Sequence, residues 1–180
     1  MSKTRDSFVQ LANKAGWPVL QQALRAAFAA EHAVKPATTA RLSNATISAD
    51  PDLVVTLLAG VPYLIEVTLP ITTGATPGFQ FDFTGGTLGT TQTDYFVGVA
   101  TLYTANQAAV AAVDIAAVNT AVSPTAANHT RGYATVTAKF NTSGTLALAW
   151  AQKASNGVTA AQLLAGARLT ATPLDLVTGR

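Results

Sequence analysis

Asp50 and Asp52 are the two acidic residues that lie close together in this chain, with Pro51 between them. A carboxylate pair held about 5 to 9.5 Å apart can share the work of glycoside hydrolysis. Asp-Pro-Asp is equally a turn sequence, because aspartate bonds its own backbone and proline presets φ. The turn is the simpler reading. The other acids are Asp6, Glu31, Glu66, Asp82, Asp94, Asp114 and Asp175. Glu66 and Asp82 fall outward in the strand pattern given below and could face each other across neighbouring strands, although solvated or interface positions explain them more simply. His32 falls in a helical arm and His129 in a loop, each without a second histidine at HxH or HExxH spacing, so no zinc site is expected. Cysteine is absent, which removes disulfides, thiolate metal sites and a cysteine nucleophile. No GxSxG elbow is present for a serine nucleophile. Gly85-Gly86-Thr87-Leu88-Gly89 has the glycines of a phosphate loop but not the lysine and helix that must follow; it reads as a flexible β loop. Asn44, Asn128 and Asn141 open Asn-x-Ser/Thr triplets, which chance explains in a Thr-rich chain. Tyr103 and Trp150 could offer a sugar platform, but Trp150 shares a strand face with Leu148 and reads as core. No enzymatic activity, metal or cofactor is expected.

What must be positioned, then, is surface rather than chemistry. Only 11% of the residues are charged, while 49% are hydrophobic; ordinary soluble domains carry about 25% charge. So much uncharged surface makes a poor monomer, and burial in an oligomer or larger assembly is the simplest remedy. The net charge of +2 comes from scattered basic residues, which gives nucleic acid no stripe to bind. No run approaches the roughly 18 apolar residues of a membrane span, and the amino terminus has no apolar run long enough for a signal peptide. The expectation is a soluble product of a cytoplasm.

Residues 1–36 carry helical spacing. Phe8, Leu11, Ala12 and Ala15 suggest a first helix, and Gly16-Trp17-Pro18 interrupts it. Pro18 suits the first position of a second helix, which is expected to run to about Val34, before Pro36. Leu20, Leu24 and Phe28 line its apolar stripe. The stripe packs either on the chain's own β domain or on another subunit or scaffold, and Trp17 with Phe8 favours an interface. Phe8, Leu11, Trp17, Leu20, Leu24 and Phe28 are therefore the candidate capsid or subunit contacts. Lys35 to Ala40 reads as a linker, with the second domain at 37–180.

That domain alternates with a period of two. In the central stretch Leu53 to Leu58 is one strand. Tyr63, Ile65, Val67, Leu69 and Ile71 mark the inner face of a second, starting at Pro62. Phe79, Phe81 and Phe83 mark a third, with Gln80 and Asp82 outward. Arg41 to Ser48 reads as a preceding strand. Tyr95 to Tyr103 follows, with Gly98 a bulge or close approach; the Ala-rich segment from Ala108 to Val122 leans to strand. Gly132 to Phe140 and Thr145 to Gln152 read as a hairpin about the Asn141–Gly144 turn. The Ala147, Ala149 and Ala151 face suits close approach by another layer or subunit. Val158 to Leu164 and Ala167 to Thr172 close the fold. The reading is mainly β: an eight-stranded antiparallel jelly-roll sandwich, roughly the strand count of that architecture, with an N-terminal helical arm.

The carboxy-terminal segment GTLALAWAQKASNGVTAAQLLAGARLTATPL (Gly144 to Leu174) resembles the last strands of small tailed-phage virion proteins with a tumour-necrosis-factor-like jelly roll. Leu58-Ala59-Gly60-Val61-Pro62-Tyr63 is similar to a strand entry of the same group. The likeness spans about 42–174, leaves the arm outside, and carries over no catalytic residue. It implies a homotrimeric capsid decoration or cement protein on the virion exterior, made in the host cytoplasm, with itself and the major capsid protein as partners. The alternative is a receptor-binding or fibre-tip module that grips a host surface glycan.

Overall fold

The computed structural model describes residues 29–74, 76–104, 109–123 and 128–174, and side chains except those of 109–112. The chain divides into two units after Ala30, and the described strands belong to the second. The expected arm helices, with Phe8, Leu11, Trp17, Leu20, Leu24 and Phe28, lie outside the described residues. Eleven strands are found among those residues: β1 Glu31–Val34, β2 Thr39–Arg41, β3 Ser48–Leu57, β4 Pro62–Thr72, β5 Gln80–Phe83, β6 Thr93–Thr104, β7 Ala109–Ile115, β8 His129–Phe140, β9 Gly144–Ala151, β10 Ala161–Leu163 and β11 Arg168–Pro173.

They form two sheets in a sandwich-like arrangement. The larger runs β1-β11-β4-β8-β6-β7, with β10 joining the end of β4 to β2; the smaller is β3-β9-β5. All pairings are antiparallel, and they nest: β1 with β11, β3 with β9, β4 with β8. The core follows from alternation. Tyr63, Ile65, Val67, Leu69 and Ile71 of β4 are all buried, as the sequence leads one to expect, and so are Phe79, Phe81 and Phe83. Fully burying one such side chain contributes about 1.5–3 kcal/mol. A row of rings crosses the sandwich. Phe79 stacks on Trp150 with centroids 5.5 Å apart, and Phe83 of the small sheet meets Phe96 of the large one edge-on at 5.4 Å. Phe96 then meets Phe140. Gly98 sits at a close approach rather than a bulge: a Cβ there would lie 2.2 Å from the Thr135 carbonyl oxygen on β8.

Several expectations are corrected. The helix expected to reach about Val34 does not cover Glu31–Val34, which pair with Ala171 to Arg168 as an edge strand. Buried Ala33 and sheet pairing override the helical preference of the local sequence. Most of Arg41 to Ser48 is loop. Ser43 adopts a left-handed φ of 53°, and the Asn44 side chain accepts from the Thr46 amide at 2.9 Å; short polar side chains that bond their own backbone compete with a ladder. Asp50-Pro51-Asp52 is no chain-reversing turn. It lies within β3, where the register jumps from Ala49↔Ala149 to Val54↔Ala147 and bulges the intervening residues. The expected hairpin about Asn141–Gly144 does not exist as a pair: β8 belongs to the large sheet, while β9 is the centre of the small one, between β3 and β5. β9 is thus paired on both edges, and Ala147, Ala149 and Ala151 are buried within the chain. The glycine loop helps to do this. Gly86 lies against the Thr145 carbonyl, and the Leu88 amide donates to the same oxygen at 3.0 Å. From Ala108 to Val122, β7 ends at Ile115; Val122 then bridges to Phe81 beside β5.

Candidate functional site

Two features stand out, one within the chain and one facing solvent. The first is buried. Lys35, which follows β1, is 1% exposed and donates to both Asp50 oxygens at 3.0 and 2.8 Å and to Asp52 Oδ2 at 3.0 Å. Trp150 Nε1 donates to Asp50 Oδ2 at 3.0 Å, and the Asp52 amide to Asp50 Oδ1 at 3.1 Å. Arg41 stacks over the Trp150 ring, 4.2 Å from its centroid, and its guanidinium donates to the carbonyls of Trp150 and Ser48. Burial presses the Lys35 pKa down, but the hydrogen bonds and charges of Asp50 and Asp52 outweigh it and hold the pKa above the ordinary lysine value. Asp50 and Asp52 thus do come together, on one shared ammonium. With Asp50 occupied by Lys35, Trp150 and an amide, this is the arrangement of a lock between β1, the β3 bulge and β9, not of two carboxylates flanking a substrate. A core tryptophan needs an acceptor for its N–H, and that was the signal in the sequence for a buried Asp50.

Glu66 and Asp82 do not meet. Glu66 is exposed on the large sheet, and Asp82 lies buried in the small one. Burial raises the Asp82 pKa, although the amides of Phe83, Asn119 and Thr120 donate to it and pull the other way. His32 stands on β1, exposed, 3.3 Å from the Thr170 hydroxyl, rather than in a helix. His129, expected in a loop, opens β8 and is fully buried. Trp150 is core, as expected. Among the described residues no group of three His, Cys, Asp or Glu could hold a metal ion.

The solvent-facing feature is the outer face of the large sheet. Register places Leu64, Thr137 and Val97 in one cross-strand row; Glu66, Thr135, Val99 and Asp114 in the next; then Thr68, Tyr133 and Thr101; then Pro70, Arg131 and Tyr103. Val97 is 62% exposed, Val99 43% and Tyr133 40%. Tyr95, also exposed, stands opposite Lys139. Charge on this face is sparse. Lys139 bonds Asp94 at 2.8 Å, a contact that raises the Lys139 pKa; Asp114 ends one row on β7, and Glu66 sits within that row, between Thr135 of β8 and Thr170 of β11. Arg131 lies over Tyr103 and Tyr133, with its carbon 4.9 and 5.9 Å from the ring centroids. From strand spacing and rise, β4, β8, β6 and β7 offer about 14 by 20 Å, roughly 300 Å², the size of the larger functional patches on monomers. Valine, threonine and tyrosine offer contact area and hydroxyl hydrogen bonds, and little chemistry. Sequence reasoning looked for this contact surface in the arm and in the β9 alanines; the signal it passed over was the pair Val97 and Val99 at outward positions of Tyr95–Tyr103. No protein-family model matches the chain, and no curated protein does.

Proposed function

We propose that this chain is a structural virion protein, a homotrimeric decoration or cement protein that binds and stabilises a phage head. The observation that carries the reading is the exposed, charge-poor outer surface around Val97, Val99, Tyr133 and the threonines between them. An exposed patch rich in apolar side chains and poor in charge marks a surface that meets another protein. The nested pairing supports the jelly-roll part of the reading. A long hairpin rolled into two sheets pairs first strand with last and works inward, its middle strands completing the second sheet. β1 with β11, β3 with β9 and β4 with β8 follow that plan, and β5 flanks β9. β6 departs from it, lying on β8 in the large sheet instead of completing the small one. Burying area between subunits of a shell raises the free energy of opening it.

The test is a charge placed in the patch. Val97→Glu and Val99→Arg, each at a site already open to solvent, leave folding intact. Light scattering on the purified full chain then reads oligomeric state, and co-sedimentation with emptied heads reads attachment. Both should fall in at least one variant. A monomeric parent that fails to bind heads would overturn the reading. The alternative, a fibre-tip module gripping a surface glycan, draws on the Arg131, Tyr103 and Tyr133 group. Binding to host cells abolished by Tyr133→Ala, without head binding, would select it.

A further inference from the structure

His129 is fully buried, yet neither ring nitrogen has a hydrogen-bond partner. A neutral imidazole carries one donor and one acceptor, and leaving both unmade in the interior is costly. The backbone imposes this position. On β8 the buried residues are Gly132, Ala134, Val136, Ala138 and Phe140, so simple alternation would put residue 129 outside with Arg131 and Tyr133. But the pairing with β6 passes from Tyr103↔Arg131 to Thr104↔His129. Thr130 is the extra residue of a bulge, and one extra residue exchanges the two faces. His129 is thereby turned inward, and its amide donates to Thr73 Oγ1 at 3.0 Å, just past β4. Of the elements at this junction, Thr73 beyond β4 and Thr104 of β6 are uncharged. Lys153 beyond β9 carries the charge that bears on the ring, its ammonium donating to the Ser123 carbonyl at 3.2 Å. Arg131 on the same strand is held on the outer face against Tyr103. Among the described residues no carboxylate pairs with the imidazole.

We propose that His129 is an acid-operated release for the junction of β4, β6 and β8: taking up a proton from solvent loosens this end of the large sheet. The protonated ring has two donors and still no acceptor, and it sits in the field of Lys153. Opening gives it water. Burial first, and Lys153 second, hold its pKa below the ordinary 6.5. The sign follows. Above about pH 6.5 neither form is protonated and the device is silent. Below that value the opened form takes the proton first, so opening grows by up to about tenfold per pH unit until the closed-state pKa is reached. The device does not depend on the virion reading and stands or falls apart from it.

Hydrogen exchange on the full chain between pH 7.5 and 5 tests it. The protection factor of the His129 amide should fall below pH 6.5, by up to about tenfold per unit, while that of Leu169 in β11 holds. His129→Leu should abolish the fall. Equal protection at both ends of the range, or the same fall in His129→Leu, overturns the proposal. Should His129→Leu not fold, the parent's own imidazole decides, with His32→Asn leaving it the only ring to observe. A His129 ring that stays neutral until exchange accelerates supports the device. One that titrates at 6.5 or above in the closed protein overturns it.

Discussion

Lys35→Met should cost far more than the loss of a surface charge. The ammonium and Asp50 are each 1% exposed, and Lys35 makes three carboxylate contacts between 2.8 and 3.0 Å. Methionine keeps the stem's volume but leaves Asp50 as a buried anion served by Trp150 Nε1 and the Asp52 amide. Breaking one side of a buried pair costs about 3–5 kcal/mol. Asp52 adds little, since its side chain is 36% exposed and can turn to water. With total stability of about 5–15 kcal/mol, the loss is about a fifth or more, and the midpoint temperature should drop by roughly 6–20 °C. Urea unfolding reads it as a shift in midpoint at constant slope. The second arm is Lys35→Met with Asp50→Asn. The double variant holds no buried charge at position 50, and the asparagine oxygen still accepts from Trp150. It should therefore be more stable than Lys35→Met alone, with a coupling of about 1–3 kcal/mol. There is a pH signature as well. The folded pKa of Lys35 is raised, so its contribution is complete below about 10.5 and is lost as pH climbs through the folded value; Lys35→Met should lack that alkaline loss. A penalty under about 1 kcal/mol, the value of an exposed pair, or a double variant no better than the single, would refute the buried-lock account.

Gly98→Ala should cost about 3 kcal/mol or more, since its Cβ would meet the Thr135 carbonyl at 2.2 Å and the Val136 Cα at 2.6 Å, both backbone. Gly166→Ala has open space and pays only for its φ of 85°, about 1–2 kcal/mol; chemical denaturation ranks the two. Asp82→Ala strips the buried acceptor from the Phe83 amide and should cost about 2 kcal/mol. Asp82→Asn keeps an acceptor without the buried charge and should cost much less. Because the Asp82 pKa is raised, the parent should gain on Asp82→Asn as pH falls through that raised value, where the carboxyl takes its proton sooner folded than unfolded. Removing 1–28 leaves β1 and Lys35 in place, whereas removing 1–36 deletes both; thermal melts should show the shorter chain less stable by at least the Lys35→Met penalty.

Alternation made the inner face of β4 readable in advance, down to its five buried residues, and likewise the buried Phe79, Phe81 and Phe83. What it does not contain is the identity of a strand's neighbour. Phe140, Asn141 and Gly144 look like a hairpin because a strand precedes and a strand follows, yet β9 lies between β3 and β5. Its Leu/Ala alternation also imitates a half-exposed strand, although loop backbone covers the alanines. The Asp50 bulge reads locally as a turn, since Asp-Pro-Asp suits both, and only the distant Lys35 and Trp150 distinguish them. His129 was misplaced for a similar reason: Thr130 has no feature that marks it as an extra residue. Parity places Val97 and Val99 on one side of their strand, but whether that side is open had to be seen, because threonine and valine serve either side of a sheet.

The pairing of β1 with β11 has a kinetic side. Every strand of the larger sheet between them must be made before its opening edge finds a neighbour, so loop-closure entropy is spent well ahead of the contacts that repay it. Until β11 arrives, Lys35 has no settled strand behind it, and β4 presents an unpaired ladder to any neighbouring chain. A nascent or refolding molecule is therefore slow and prone to join its fellows out of register, and dilution or low temperature during refolding should raise the yield of properly closed molecules.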